Sequence, residues 1–539
     1  MPRRIERLQP TCVRSVLGAV LLFASWPTLQ AATLCVNPAG SSGCQTTIGK
    51  AVTAASPGDT IQVAAGTYKE DVTIGMRLSL VGAGSDTTII DATGLANGIV
   101  VDGVDNPGLS GVVITGFTVQ NANFQGILVE NASNITIWAN QILKNDLALT
   151  TSGGTPTCPG LPPTFQQSEG DDCGEGLHFT GVDHSVVTNN VIESNSGGFL
   201  ITDDTGPTFD NVVTGNVVMN NVMDCGITIA SHSGKGVYQN TISDNTVVNN
   251  GTKGQGAGVG IFAPGPGSNA SGNVVVNNTI TNNGLPGVTM HNHAAPPGAP
   301  AVNMNDNIIV GNTISGNGAD TDDAATPGTA GINIFSKAPV TGTVISENSI
   351  SGEHIGVEFN APSGGVQVSL NNILAPLGIN NANGGTVNAG ENWWGCASGP
   401  NVGGCSLTSG SGVTLTPPLG SAFSSTQLPK SPTAPPPTGP TGITIVVTGP
   451  GGAISSTNTF QVFLNQVTLN ASGSMSGNAG PLTYSWSVAP GSPAGGGIVG
   501  ANTATPTFQL TTPQTYQYTL TVTDSTGATA TTTVTVQYI

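Results

Sequence analysis

Ionisable groups are scarce in this chain of 539 residues, where charged side chains make up only 8%. Their placement therefore carries information. Asp203 and Asp204 form an adjacent pair, Asp224 follows about one repeat later, and His178, His232, His291 and His293 punctuate the same stretch. Crowded carboxylates suit acid–base glycoside cleavage, because each raises its neighbour's pKa and leaves one a proton donor near neutral pH. An imidazole beside them can orient a carboxylate, shuttle a proton or ligate a metal. The candidate catalytic residues are thus Asp203, Asp204, Asp224 and His232. Asp204, His232, His291 and His293 are also a candidate metal set, with carboxylate oxygens suiting Ca²⁺ and imidazoles a transition-metal ion. His178, Phe262, His291, Phe335 and Lys337 are candidates for holding substrate, the phenyl rings by stacking on sugar faces. Glu175, beside His178, belongs to the same group of scarce ionisable residues.

These residues can meet only if the chain repeats in register. A phrase Asn-x-Ile or Asn-x-Val recurs at Asn140, Asn190, Asn216, Asn245, Asn278, Asn312 and Asn348, its spacing widening from 26 to 36 residues after Asn190. A second phrase, glycine followed by two apolar residues one apart, starts at Gly126, Gly198, Gly226, Gly287 and Gly331. A fixed repeat of a few tens of residues means one supersecondary unit stacked on itself. Short strands joined by Asn- and Gly-rich turns predict an all-β solenoid. With the glycine as position zero, positions one and three point inward, two and four outward, and five and six begin the turn. Phe262, His291 and Phe335 then share position four, while Asp204, His232, His293 and Lys337 share position six. Equivalent positions on adjacent coils lie about 4.8 Å apart. The repeated Asn are read as structural: their amides both donate and accept, so they can form a ladder along the coils.

The rest of the chain divides by composition. Residues 1–32 read as an export signal, with Arg3, Arg4, Arg7 and Arg14 before an apolar run and alanines at the end. Residues 33–420 hold the solenoid. Its start carries an amphipathic helix over 45–55, with Ile48, Ala51, Val52 and Ala55 on one face. An extra loop spans about 150–172, and Trp393-Trp394 close the far end. Residues 421–442 are a Pro/Ser/Thr-rich linker. Residues 443–539 alternate with period two, which predicts an immunoglobulin-like sandwich anchored by Trp486. In an oxidising compartment Cys35 with Cys44, Cys158 with Cys173 and Cys396 with Cys405 read as local disulfides, and Cys225 as a buried inert thiol. A formal net charge of −18 argues against nucleic acid or anionic lipid as partners. No later segment reaches the roughly 20 apolar residues of a membrane span. The expected protein is a secreted, periplasmic or cell-surface monomer whose partner is a polysaccharide.

The stretch from Ala51-Val52 through Pro57-Gly58-Asp59-Thr60-Ile61-Gln62-Val63 and Gly66-Thr67-Tyr68, the repeats, and Asn392-Trp393-Trp394-Gly395 resemble bacterial right-handed parallel β-helix proteins of the pectin-lyase-like superfamily. Leu469 to Ser474, Leu482 to Trp486 and Tyr518 to Asp524 resemble a polycystic-kidney-disease-type repeat. The resemblance implies a right-handed parallel β-helix followed by a small sandwich that serves as spacer or carbohydrate-contacting accessory. Polygalacturonase-type members pair aspartates with Gly-His-Gly; here Asp203-Asp204 stands with Ser231-His232-Ser233, and the basic motif is missing. The arginine of the lyases and methylesterases also has no counterpart, since Arg77 lies several coils before the cluster. The leading expectation is a carbohydrate-active protein cleaving a polysaccharide by hydrolysis or elimination. The alternatives are a non-enzymatic glycan-binding or adhesion protein and, more remotely, a periplasmic metal-handling β-helix.

Overall fold

The computed structural model describes residues 32–145 and 174–424, apart from 254–255, 293–296, 322–323 and 363–364, and part of 446–538. The signal-like segment through residue 31, Cys158, Cys173, His293 and the linker from residue 425 lie outside the described residues.

The repeats wind into a right-handed parallel β-helix with three sheets. Sheet A has fourteen strands, among them Thr136–Trp138, Val186–Thr188 and Val212–Thr214. Sheet B has eleven, including Gln141–Leu143, Val191–Glu193 and Val217–Met219. Sheet C has twelve, including Gln125–Glu130, Glu175–Thr180, Gly197–Thr202 and Ile227–Ala230. Each coil contributes one strand to each sheet, so like residues stack. In sheet B, Ile142, Ile192, Val218, Val247, Ile280 and Ile314 form one inward column, all fully buried. Each such side chain contributes about 1.5–3 kcal/mol.

Asparagine solves the corners. At the A–B corner Asn216 donates its backbone N–H (2.9 Å) and its Nδ2 (3.0 Å) to Oδ1 of Asn245, and Nδ2 also reaches the Val187 carbonyl. The same bonds run from Asn140 to Asn392. A second ladder at the B–C corner runs through Asn145, Asn195, Asn221, Asn250, Asn283 and Asn317. A third, at the C–A corner, joins Asn211, Asn240, Asn273 and Asn307. The residue before a ladder Asn turns the chain with a left-handed backbone: Asn189 (φ 53°), Gly215 (φ 66°), Asp244 (φ 54°) and Asn277 (φ 56°) at the first corner. Asn, Asp and Gly tolerate that conformation best, which explains their abundance there. The glycine at position zero has a different cause. A β-carbon on Gly226 would stand 2.8 Å from both the Gly258 carbonyl and Asn250 Nδ2, against the next coil.

The ends are closed differently. Helix Ile48–Ala54 buries Ile48, Ala51 and Val52 against the first coils. Its first N–H groups are satisfied by Glu70, which accepts from Ile48 N and Gly49 N at 2.8 Å each, and by Thr47. Trp394 is fully buried at the other end and joins the same core, while Trp393 is half-buried. Disulfides link Cys35 with Cys44 and Cys396 with Cys405; Cys225 is buried and unpaired, and burial pushes its thiol up. The C-terminal strands form a four-stranded and a five-stranded sheet. Trp486, 4% exposed, packs edge-on against Phe508 between them and donates Nε1 to the Thr503 carbonyl at 3.1 Å.

Candidate functional site

Sheet C carries the candidate residues on its outward face, in two columns. Position two reads Leu128, His178, Leu200, Thr228, Gly260, Thr289, Asn333 and Glu358. Position four reads Glu130, Thr180, Thr202, Ala230, Phe262, His291 and Phe335. The predicted shared column of Phe262, His291 and Phe335 is thus one of backbone partners.

Asp204, His232 and His178 come together. Asp204 follows the Gly197–Thr202 strand, and its Oδ2 stands 3.9 Å from Nδ1 of His232 in the next coil. Their side chains are only 5% and 10% exposed. Lys235 Nζ donates to the Asp204 carbonyl at 2.7 Å. His178, one coil back, is fully buried; its Nε2 lies 3.0 Å from Thr202 Oγ1 and its Nδ1 3.1 Å from Gln125 Nε2. Burial pulls His178 down to about 3, against the charge of Asp204, so this imidazole is neutral at physiological pH. Burial alone would raise Asp204. The imidazole of His232, the Thr202 hydroxyl and His178 outweigh it and hold the carboxyl below its ordinary value. The arrangement is an ionised carboxylate beside an imidazole able to pass a proton, which suits acid–base chemistry.

Three sequence candidates take other places. Asp203 is fully buried and anchors a turn: its oxygens accept from His232 N (2.7 Å), Ser233 N (2.8 Å), Gly236 N (2.6 Å) and Ser231 Oγ (2.9 Å). Its carboxylate is spent on the neighbouring coil and does not join Asp204. Asp224 precedes the Ile227–Ala230 strand, whereas Asp204 follows its own strand. Eight register positions at about 3.3 Å each separate them by more than roughly 20 Å, so the expected carboxylate trio does not form. His291 stands three coils from Asp204, about 14 Å at 4.8 Å per coil. The expected metal set of Asp204, His232, His291 and His293 is therefore not brought together by its described members. Among the described residues no group of three or more His, Cys, Asp or Glu could hold a metal ion.

The aromatic column forms a ledge. His291 meets Phe335 edge-on at 5.2 Å and Phe262 at 6.3 Å. Phe262 and His291 remain partly exposed, but Phe335 is 5% exposed and lies under Lys337, whose Nζ sits 4.4 Å from the ring centroid. A cation over the ring takes the face a sugar would need. Phe335 thus does not offer the free face expected of it, and the column's exposed ring surface belongs to Phe262 and His291. Glu175 is buried with its carboxylate over Gly197, one coil on.

Sequence reasoning missed Glu130, Thr202 and Gln125. Glu130 is 5% exposed at position four. Burial, then the charges of Asp102 and Asp105, push its carboxyl up to about 7. Counted from Gly126, it falls at position four, the column of Phe262, His291 and Phe335.

Three stacked parallel sheets and a buried polar face on one of them define a β-helix protein with a small β-sandwich behind it. Residues 80–268 match the family model described as "Right handed beta helix region", and residues 457–537 match a model of the PKD domain. No curated protein matches the chain. Among solved structures, the chain is similar to the PKD domain from KIAA 1837 protein: 26% identity, 15% of this chain and 78% of that one, TM-score 0.14. It is similar to DFA-IIIase from Arthrobacter chlorophenolicus A6, with 12% identity over 71% of this chain and 99% of that one and a TM-score of 0.44. The A-module of a mannuronan C-5 epimerase from Azotobacter vinelandii matches at 17% identity, covering 69% and 94%, with a TM-score of 0.36. Among the described residues no helix is long and apolar enough to cross a membrane.

Proposed function

We propose that the outward face of sheet C is a glycan-processing groove in an exported protein, and that Asp204 and His232 carry acid–base cleavage of a polysaccharide there. The observation behind this reading is the pairing of a depressed carboxyl with an imidazole 3.9 Å away, on the face that also holds Phe262 and His291. Asp204 acts as base; His232 relays its proton; His178, kept neutral, fixes Thr202 beside them. Phe262 and His291 hold the chain two and three coils further along, with Lys337 at the rim. The disulfides at both ends of the solenoid fit an oxidising compartment.

The test is a panel of neutral and acidic polysaccharides scored for reducing ends and for unsaturated products, run with Asp204→Asn and His232→Ala. Losing a positioned base or its relay costs roughly 10²–10⁴ in rate. Full activity in both variants would refute the assignment. A second reading, a glycan-binding rod without catalysis, draws support from Asp203 and Asp224 lying outside the cluster, which leaves it one carboxylate. Glycan retention without product release would favour it. The metal-handling reading gains nothing from His291, which stands apart from Asp204 and His232.

A further inference from the structure

Outward side chains of sheets A and B should be shielded alike, since in each sheet the coils above and below stand beside them. They are not. In sheet B the outward residues Gln141, Val191, Val217, Thr246 and Thr279, in register from coil to coil, are all half-buried. In the same coils of sheet A the outward column Thr136, Val186, Val212, Thr241 and Val274 is at most 4% exposed. The cover is local. Before it in that column Val113 is half-buried; beyond it Ile308 and Val344 are half-buried and Gln367 is exposed. Val186 with Val212, and Val274 with Val276 and Val310, pack as small clusters apart from the solenoid core. A sheet face buried to that depth carries another layer.

The C-terminal domain supplies that layer. Strand Val446–Thr448 comes within 8 Å, Cα to Cα, of Val212–Thr214, and Gly452–Ser456 of Thr241–Ser243. Asn470, 1% exposed, donates Nδ2 to the His184 carbonyl at 3.3 Å, just before the Val186–Thr188 strand. We infer that the sandwich is a fixed buttress of the solenoid, seated on sheet A over the coils from Val186 to Val274, and not a spacer carried away from it. Two of the covered strands, Val212–Thr214 and Thr241–Ser243, follow the turns of Asp204 and His232. The buttress therefore backs the two coils that bring those side chains together, from a sheet other than the one that carries the groove. The inference stands on the burial of sheet A and holds whatever chemistry the groove performs.

Matched cysteines in the full-length protein test it. Thr241→Cys lies under the sandwich, and Thr246→Cys lies on sheet B of the same coil. With a maleimide, above the background of the buried Cys225, T241C should label roughly tenfold or more slowly than T246C, because the reagent must wait for the interface to open. In His184→Cys with Asn470→Cys, a short bis-maleimide should link the two positions within one chain. Equal labelling of T241C and T246C would overturn the inference. So would slow labelling of T241C without the link between 184 and 470, which would mean that another segment covers the face. Slow labelling that is lost on dilution, as light scattering passes from dimer to monomer, would assign the cover to a second copy and overturn it as well. Should T241C fail to fold, judged by its melting curve, Val212→Cys against Val217→Cys decides by the same comparison.

Discussion

Glu353 is where the B–C ladder changes residue type, and the change should make stability depend on pH. Asn317 donates its N–H (3.2 Å) and Nδ2 (3.1 Å) to Glu353 Oε1, as each earlier Asn does to the next. The second oxygen, Oε2, is buried without a partner, and the residue is 3% exposed. Burial raises the carboxyl from 4.5 to about 7, despite the bonds from Asn317. A carboxyl whose pKa is raised on folding holds its proton more tightly in the folded state. The linked stability is fully present below pH 4.5 and is lost as pH rises through about 7. At about 1.36 kcal/mol per pH unit, the whole span is worth roughly 3 kcal/mol as an upper bound. Glu353→Gln keeps the Oε1 acceptor and removes the ionisation. E353Q should match the wild type at about pH 4 and exceed it increasingly up to about pH 7, with the gain constant above that. Urea unfolding of both proteins by circular dichroism between about pH 4 and 8.5 measures the difference. Glu130 titrates in both proteins and cancels in the comparison. A difference independent of pH would refute the reasoning.

Two further predictions concern the repeat itself. Asn245→Ala removes the acceptor of Asn216 N and Nδ2 and the donor to the Val213 carbonyl, leaving buried groups unpaired; the loss should reach about 3 kcal/mol, read as a lower urea midpoint. Gly226→Ala should destabilise by a similar amount, because the β-carbon meets Val247 Cγ1, the Gly258 carbonyl and Asn250 Nδ2; a melting temperature equal to wild type would contradict that packing.

How much of this was legible depended on whether one residue type repeated at one place. The A–B ladder was readable because Asn precedes x-Ile or x-Val in coil after coil. The B–C ladder was not, since Asn195, Asn221 and Asn250 are followed by Ser, Val and Gly and share no phrase. Columns inside strands were also readable, as the pairing of Phe262, His291 and Phe335 shows. Turns were harder. Position six gathered Asp204 with His232, but the chain there follows loop geometry rather than strand alternation, and Lys337 ends over Phe335. Asp203 is instructive: extending the alternation one residue past position four sends it inward, where it is found bonded to three backbone N–H groups. Asp224 was grouped with Asp204 by proximity in sequence, although the two flank opposite ends of the sheet.

The division of labour in the coil explains why departures from the repeat cluster on one face. Inward positions carry the aliphatic packing and the corners are held by Asn, so neither can vary without exposing a buried group. The outward columns of sheet C carry neither load. They accept Leu128, His178, Gly260 or Glu358 at equivalent places without breaking the stack. Departure alone does not mark function, however, because Asp203 also departs and is fully consumed by its neighbours. The stronger sign is departure joined to an unspent buried atom on this outward face; Glu353 also keeps an oxygen unbonded, but it sits at a corner and serves the ladder. Asp203 has no such atom, whereas Glu130 and Asp204 each keep one oxygen buried and unbonded. A fold that otherwise satisfies nearly every corner amide would gain stability by removing those two carboxyls. Their presence on the one face free to vary is what makes them candidates for chemistry rather than for architecture.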